Sequence, residues 1–243
     1  MIQRNFLLKL KYFFKYLYED RNSISSSTRM NQYHLIQSSV GKKVIMAITG
    51  IFLMSFLSLH LSVNLFLFYG EEAFNEAVSF MRRNAIIRIL EYVLALGFIV
   101  HILFGIRLHI KNRKLKGEED YAVQKSISSF GSRTMIYTGF LILCFLVLHL
   151  MNFMIPMKYS NHNSDYNVVV TLFKNPIYTF VYVFSFFILG IHLSHGFQSS
   201  FQSLGLSTNK KRLYWIQKLG CFYFWLICSG FSIIAIWFFF IQW

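Results

Sequence analysis

Five runs of about 20 apolar residues, separated by short polar segments, leave this 243-residue chain few folds to choose from. They fall at roughly 44–68, 86–108, 134–156, 177–198 and 219–241. In hydrocarbon every backbone N–H and C=O must be satisfied inside the protein, so runs of this length cross as α-helices. Composition agrees: 55% of the residues are hydrophobic and only 14% charged, too apolar for a soluble domain of this size. The expected fold is an all-α membrane protein of five transmembrane helices, four forming a core and the fifth peripheral. Residues 1–40 read as an N-terminal basic, interfacial segment with a linker, and residues 41–243 as the five-span domain.

The basic residues orient the chain. If the loops alternate sides, nineteen of the 24 Lys and Arg fall on one side, in the N-terminal segment and in the second and fourth loops. The other side receives Arg82, Arg83, Arg88, Lys158 and Lys174. The positive-inside rule then places the N-terminus in the cytoplasm and Trp243 outside. The net charge of +14 is mostly this topology signal, because the basic residues flank spans, and nucleic acid is not an expected partner. Cys144, Cys221 and Cys228 lie within spans without CxxC spacing, so they read as small apolar residues rather than a disulfide or metal site. No cleavable signal peptide is expected, since Lys9, Lys11 and Lys15 interrupt the first apolar stretch. That stretch suits an interfacial amphipathic helix, and residues 1–29 are equally readable as an extension upstream of Met30. No nucleotide loop, soluble domain or internal repeat is apparent; the longest hydrophilic stretch, 111–133, is too short for its own core.

Four spans each carry one histidine deep in apolar sequence: His60, His101, His149 and His192. An ionisable group at that depth is costly and marks a functional site by default. His60 and His149 follow the basic flanks Lys43 and Arg133 by 17 and 16 residues, about 25 Å into the membrane at 1.5 Å per residue. His101 precedes Arg107 by six residues, and His192 precedes Gln198 by six, so both belong near the inner side. Two outer histidines on upward spans and two inner ones on downward spans are what a four-helix clamp around two stacked haems requires. The expected pairs are His60 with His149 for an outer haem and His101 with His192 for an inner one. Gly105 and Gly196 each follow an inner histidine by four residues, on its own helical face, where a flat macrocycle can approach. Asn64 and Asn152 follow the outer pair at four and three residues. His195, one turn from His192, is an alternative ligand by spacing. His34, His109 and His162 read as polar or interfacial.

At these residues the chain resembles the dihaem cytochrome b membrane subunit of succinate dehydrogenase/fumarate reductase, in its single-chain five-helix form. The matching segments are GKKVIMAITGIFL (41–53), HLSVNL (60–65), HILFGI (101–106), SRTM (132–135), FLVLHLMNF (145–153), KNPIY (174–178) and HLSHGFQSSFQSLG (192–205). The resemblance runs from about residue 38 to 241 and implies a subunit that anchors a flavoprotein and an iron–sulfur subunit. It would sit in a bacterial cytoplasmic (inner) membrane and pass electrons through two haems b to or from a quinone, menaquinone in particular. The family's four haem-iron ligands fall on His60, His101, His149 and His192, which favours His192 over His195. The chain itself would not handle the dicarboxylate. Some fumarate-reducing relatives carry a glutamate two positions before the fourth-span ligand; here that position is Gly190, so the physiological direction is left open.

Three further expectations concern chemistry around this core. Glu91, ten residues outward of His101, should lie about 15 Å along the helix, near the depth of the outer pair. It is the candidate catalytic residue, handling protons for the quinone; an ordinary ion pair with Arg88 is its competing explanation. Glu71, Glu72 and Glu76 are read as residues of a solvated loop. The segment 111–133 would supply polar contacts to an iron–sulfur partner, while Lys43, Arg88, Arg107 and Arg133 are eligible by position to meet haem propionates. Two rival functions share the same features: a dihaem anchor for a hydrogenase or formate dehydrogenase, and a haem-free proton-coupled transporter using the histidines as a relay.

Overall fold

The structure, a computed structural model, describes residues 38–114, 130–159 and 164–241. Among them every regular element is helical. Helix α1 (Ser39–Asn64) runs into a 3₁₀ turn (Leu65–Tyr69), followed by α2 (Glu71–Arg83) and α3 (Ala85–Lys114). Helix α4 (Phe130–His149) continues through a π turn (Leu150–Met154) into the short α5 (Ile155–Tyr159); α6 (Asp165–Lys174), α7 (Pro176–Ser203) and α8 (Lys210–Phe240) complete the chain. By their contacts, residues Val44–Trp243 form one unit.

Among the described residues five helical segments are long and apolar enough to cross a membrane: Val40–Tyr69, Ala85–Arg113, Thr134–Tyr159, Pro176–Ser203 and Lys210–Phe240. At 1.5 Å per residue each measures about 40–45 Å, more than the ~30 Å hydrocarbon core. The hydropathy reading found all five but cut them short, because the outer turns are amphipathic rather than apolar. Helix starts are set by short polar side chains that accept otherwise orphaned N–H groups. Asn84 Oδ1 accepts from Ile86 N at 2.9 Å, Ser164 Oγ from Asn167 N at 3.3 Å, and Asn209 Oδ1 from Arg212 N at 2.8 Å. Asn175 Oδ1 accepts from Ile177 N at 2.9 Å, just ahead of α7, whose first residue is Pro176. Gly70, at φ 99°, makes the turn into α2 that a residue with a Cβ resists.

Two elements differ from the sequence reading. Glu71, Glu72 and Glu76 are not in a loop but on α2, whose first turn carries Glu71 and Glu72 and whose last carries Arg82 and Arg83. That arrangement opposes the helix dipole at both ends. Helix α6 likewise replaces an expected connection. The two helices meet at one end of the bundle: Arg82 Nη2 donates to both Asp165 carboxylate oxygens at 3.0 Å and to Met157 O at 3.1 Å. Asn75 Nδ2 donates to Ser164 Oγ at 3.0 Å, and Asn75 Oδ1 accepts from Tyr166 N at 3.0 Å. The first and third connections therefore lie on the same side, as alternating spans demand.

The fifth span lies along the fourth and reaches the first. A Cβ on Gly190 would stand 2.5 Å from two ring carbons of Phe224, so bare backbone on α7 is what lets α8 approach. On α8's other flank Gly230 faces Leu61 of α1, and Tyr223 OH donates to Met54 O at 2.5 Å. Tyr182 on α7 and Ile227 on α8 are among the most deeply buried side chains. In contrast, the most apolar stretches of the second and third spans contain no buried residue. Cys144 and Cys221 sit on exposed faces rather than inside, and Cys228 is buried; all three are free thiols.

Candidate histidine site

The four intramembrane histidines fall into the two layers the sequence indicates. In one layer the rings of His60 and His149 meet edge to face, with centroids 5.7 Å apart. An aromatic wall encloses the pair. Phe56 stacks on His60 at 5.4 Å, Phe231 of α8 lies 5.7 Å from the same ring, and Phe145 and Phe153 lie 5.9 and 5.2 Å from His149. Tyr182, 1% exposed, closes the α7 side at 6.2 Å from His149, and its hydroxyl accepts from Asn152 Nδ2 at 3.2 Å.

In the other layer each histidine touches a threonine of a neighbouring helix. Thr49 Oγ1 lies 3.2 Å from His101 Nδ1, and Thr138 Oγ1 lies 3.1 Å from His192 Nδ1. The glycine after each threonine makes room for the ring: a Cβ on Gly50 or on Gly139 would stand 3.5 Å from Cε1 of His101 or His192 respectively. The same point on Gly50 would be 3.4 Å from Ser200 Oγ, which brings α1, α3 and α7 together here. Thr49 precedes His60 by eleven residues, so the two layers are about 16 Å apart along α1.

Whether these residues suit haem can be judged from the side chains present. Among the described residues no three His, Cys, Asp or Glu side chains converge as a bare metal ion would ask, whereas haem iron takes one or two protein ligands. His149 Nδ1 is buried and lacks a hydrogen-bond partner, an arrangement avoided in apolar surroundings unless the nitrogen has another use. On His60 the ring nitrogen Nε2 has only a marginal 3.5 Å approach from Asn64 Nδ2, which already donates to His60 O at 2.8 Å. Beside Gly105 and Gly196 stand the flexible tips of Met46 and Met135, at 3.4 and 3.6 Å from where a Cβ would be. Thioether ends of this kind yield easily to an incoming flat group. The donor set fits haem in both layers.

The remaining expected residues are more dispersed. Glu91 does not pair with Arg88; Lys158 Nζ donates to its Oε2 at 2.5 Å, and the two side chains are 44% and 39% exposed. Lys158 lies beyond the π turn that follows His149, where Ile155 N bonds back five residues to Leu150 O. The wider turn rotates everything after it, a register change that hydropathy cannot reveal. Arg107 lies 5.9 Å from the centre of the Phe104 ring on its own helix, and Arg88 and His109 are exposed. His34, His162, most of the 111–133 segment and the side chain of Arg133 lie outside the described residues. Sequence reasoning missed Thr49, Thr138 and Tyr182, and the partners of Asn152 and Lys158, all of which rest on contacts between helices.

Comparison with known proteins adds an independent line. Residues 111–228 match the family model described as succinate dehydrogenase/fumarate reductase transmembrane subunit; this stretch includes His149 and His192 and excludes His60 and His101. No curated protein and no solved structure matches. The family match agrees with the resemblance carried by the histidine motifs over that stretch, just under half of the chain.

Proposed function

We propose that the chain is the dihaem cytochrome b subunit of a succinate:quinone oxidoreductase, anchoring flavoprotein and iron–sulfur subunits and carrying electrons between them and menaquinone. The observation that carries this reading is the histidine geometry: one pair in ring contact at 5.7 Å, and a second pair held by matching threonine contacts at 3.2 and 3.1 Å. His60 with His149 and His101 with His192 would hold one haem b each. Haem bound in both layers would supply two one-electron carriers in series across the membrane. Around them the chain's own residues set the environment: the Phe56, Phe145, Phe153 and Phe231 rings keep water from the outer pair, and the threonines engage the inner imidazoles. Glu91 with Lys158 is the candidate proton-handling group for the quinone, a partly exposed charged pair inside an apolar span that a lipid-borne substrate can reach.

Purification through a tag on this chain from mildly solubilised membranes tests the proposal. Flavoprotein and iron–sulfur subunits should co-elute, and succinate or a reduced menaquinone analogue should reduce chain-bound haem. Co-elution of hydrogenase or formate dehydrogenase subunits would assign the anchor to another enzyme. A haem-free chain without partners would support the transporter alternative.

A further inference from the structure

The two halves of the histidine core repeat one another, although no repeat was apparent in the sequence. Residues 46–60 and 135–149 align without a gap, sharing Met46/Met135, Thr49/Thr138, Gly50/Gly139 and His60/His149, with Phe and Leu matches between. The partner helices repeat H-x-x-x-G at His101–Gly105 and His192–Gly196. The contacts repeat as well: threonine to histidine Nδ1, and methionine tip to glycine.

We propose that Thr49 and Thr138 are positioning residues that fix the tautomer of the inner histidines, so that each presents a bare Nε2 to haem iron. The proposal rests on the haem reading above. The argument begins with the hydroxyl's single hydrogen. Thr49 Oγ1 lies 2.9 Å from Ile45 O and 3.1 Å from Met46 O, and Thr138 Oγ1 lies 3.2 Å from Thr134 O and 3.1 Å from Met135 O. Backbone carbonyls only accept, so in each case the hydroxyl hydrogen is directed to its own helix. The oxygen then has only lone pairs to offer the imidazole, and the 3.2 and 3.1 Å contacts require Nδ1 to carry the ring proton. A neutral imidazole protonated at Nδ1 has its lone pair on Nε2. The same bond holds the ring plane and makes the ligand more basic, as partners of metal-bound histidines do. The outer pair shows no hydroxyl contact of this kind.

The test uses the purified whole complex bearing Thr49→Val, Thr138→Val or both, with Thr→Ser at each position as the conservative variant. Each valine substitution should raise the midpoint potential of one haem only and speed loss of that haem to an apo-globin acceptor by about 10-fold. The other haem should be unchanged, and serine should restore parental behaviour. A valine variant that loses the haem outright while its serine counterpart keeps it also supports the assignment. Unshifted potentials and haem loss in both valine variants, with wild-type haem content, would overturn the positioning role alone. Absence of haem from the parent complex would instead overturn the reading on which it rests.

Discussion

Gly190 packs so closely against α8 that any side chain placed there should cost stability. A methyl group there would lie 2.5 Å from Cδ2 and Cε2 of Phe224 and 3.4 Å from Cys228 Cβ. Carbon atoms in ordinary contact are about 3.5–4.0 Å apart, so the ring would have to retreat by about 1 Å. It is edge-on to Trp225 at 4.9 Å and near Phe187 at 6.5 Å, which restricts that movement. Overpacking of this kind costs about 1–3 kcal/mol, and for Gly190→Ala the better helix propensity of alanine offsets about 1 kcal/mol. We expect a net loss of about 0–2 kcal/mol for alanine and a larger one for glutamate, which adds a carboxyl group against α8. Equilibrium unfolding in detergent micelles gives the values, and a double-mutant cycle with Phe224→Ala isolates the contact. The cycle should show a favourable coupling of about 1–3 kcal/mol as the smaller partner makes room. A Gly190→Glu protein as stable as its parent, or strict additivity with Phe224→Ala, would refute the steric argument.

Other consequences follow from named contacts. Arg82→Ala removes the guanidinium that bonds both carboxylate oxygens of the 7% exposed Asp165 and should cost about 2–3 kcal/mol in the same unfolding assay. Asp165→Ala leaves a half-exposed guanidinium that water can solvate, and should cost only about 1 kcal/mol; equal costs would contradict the burial argument. Glu91→Gln should depress quinone-linked turnover while both haem spectra and dye-linked dicarboxylate activity stay intact, and normal quinone turnover would remove Glu91 from the mechanism. Reversing the charges of Lys111, Arg113 and Lys114 should weaken association with the iron–sulfur subunit most at low salt, where exposed charges are least screened; unchanged assembly would exclude this segment as a docking site.

How much of this was legible in the sequence depends on the range of the interaction involved. The spans and the two histidine layers were readable because hydropathy and axial rise are local properties of each helix. Helices α2 and α6, of 13 and 10 residues, were missed because they are too short to register as spans, although the Glu71–Glu72 and Arg82–Arg83 termini and the Ser164 cap were signals of helix ends. The partner of Glu91 was out of reach, since it depends on the π turn after His149 and on packing between the second and third spans. Thr49 and Thr138 look like ordinary polar residues within apolar helices. What could have exposed them was the repeated M-x-x-T-G segment, eleven residues from threonine to histidine in both halves.

The central claim, two histidine pairs each holding one haem b, is tested most directly by haem quantification and low-temperature electron paramagnetic resonance on the purified complex. The account predicts two haems b per chain, both low-spin with bis-imidazole ligation. Alanine at His60 or His149 should remove or convert one signal, and alanine at His101 or His192 the other. A single haem per chain, or four alanine variants that all keep both low-spin signals, would contradict it.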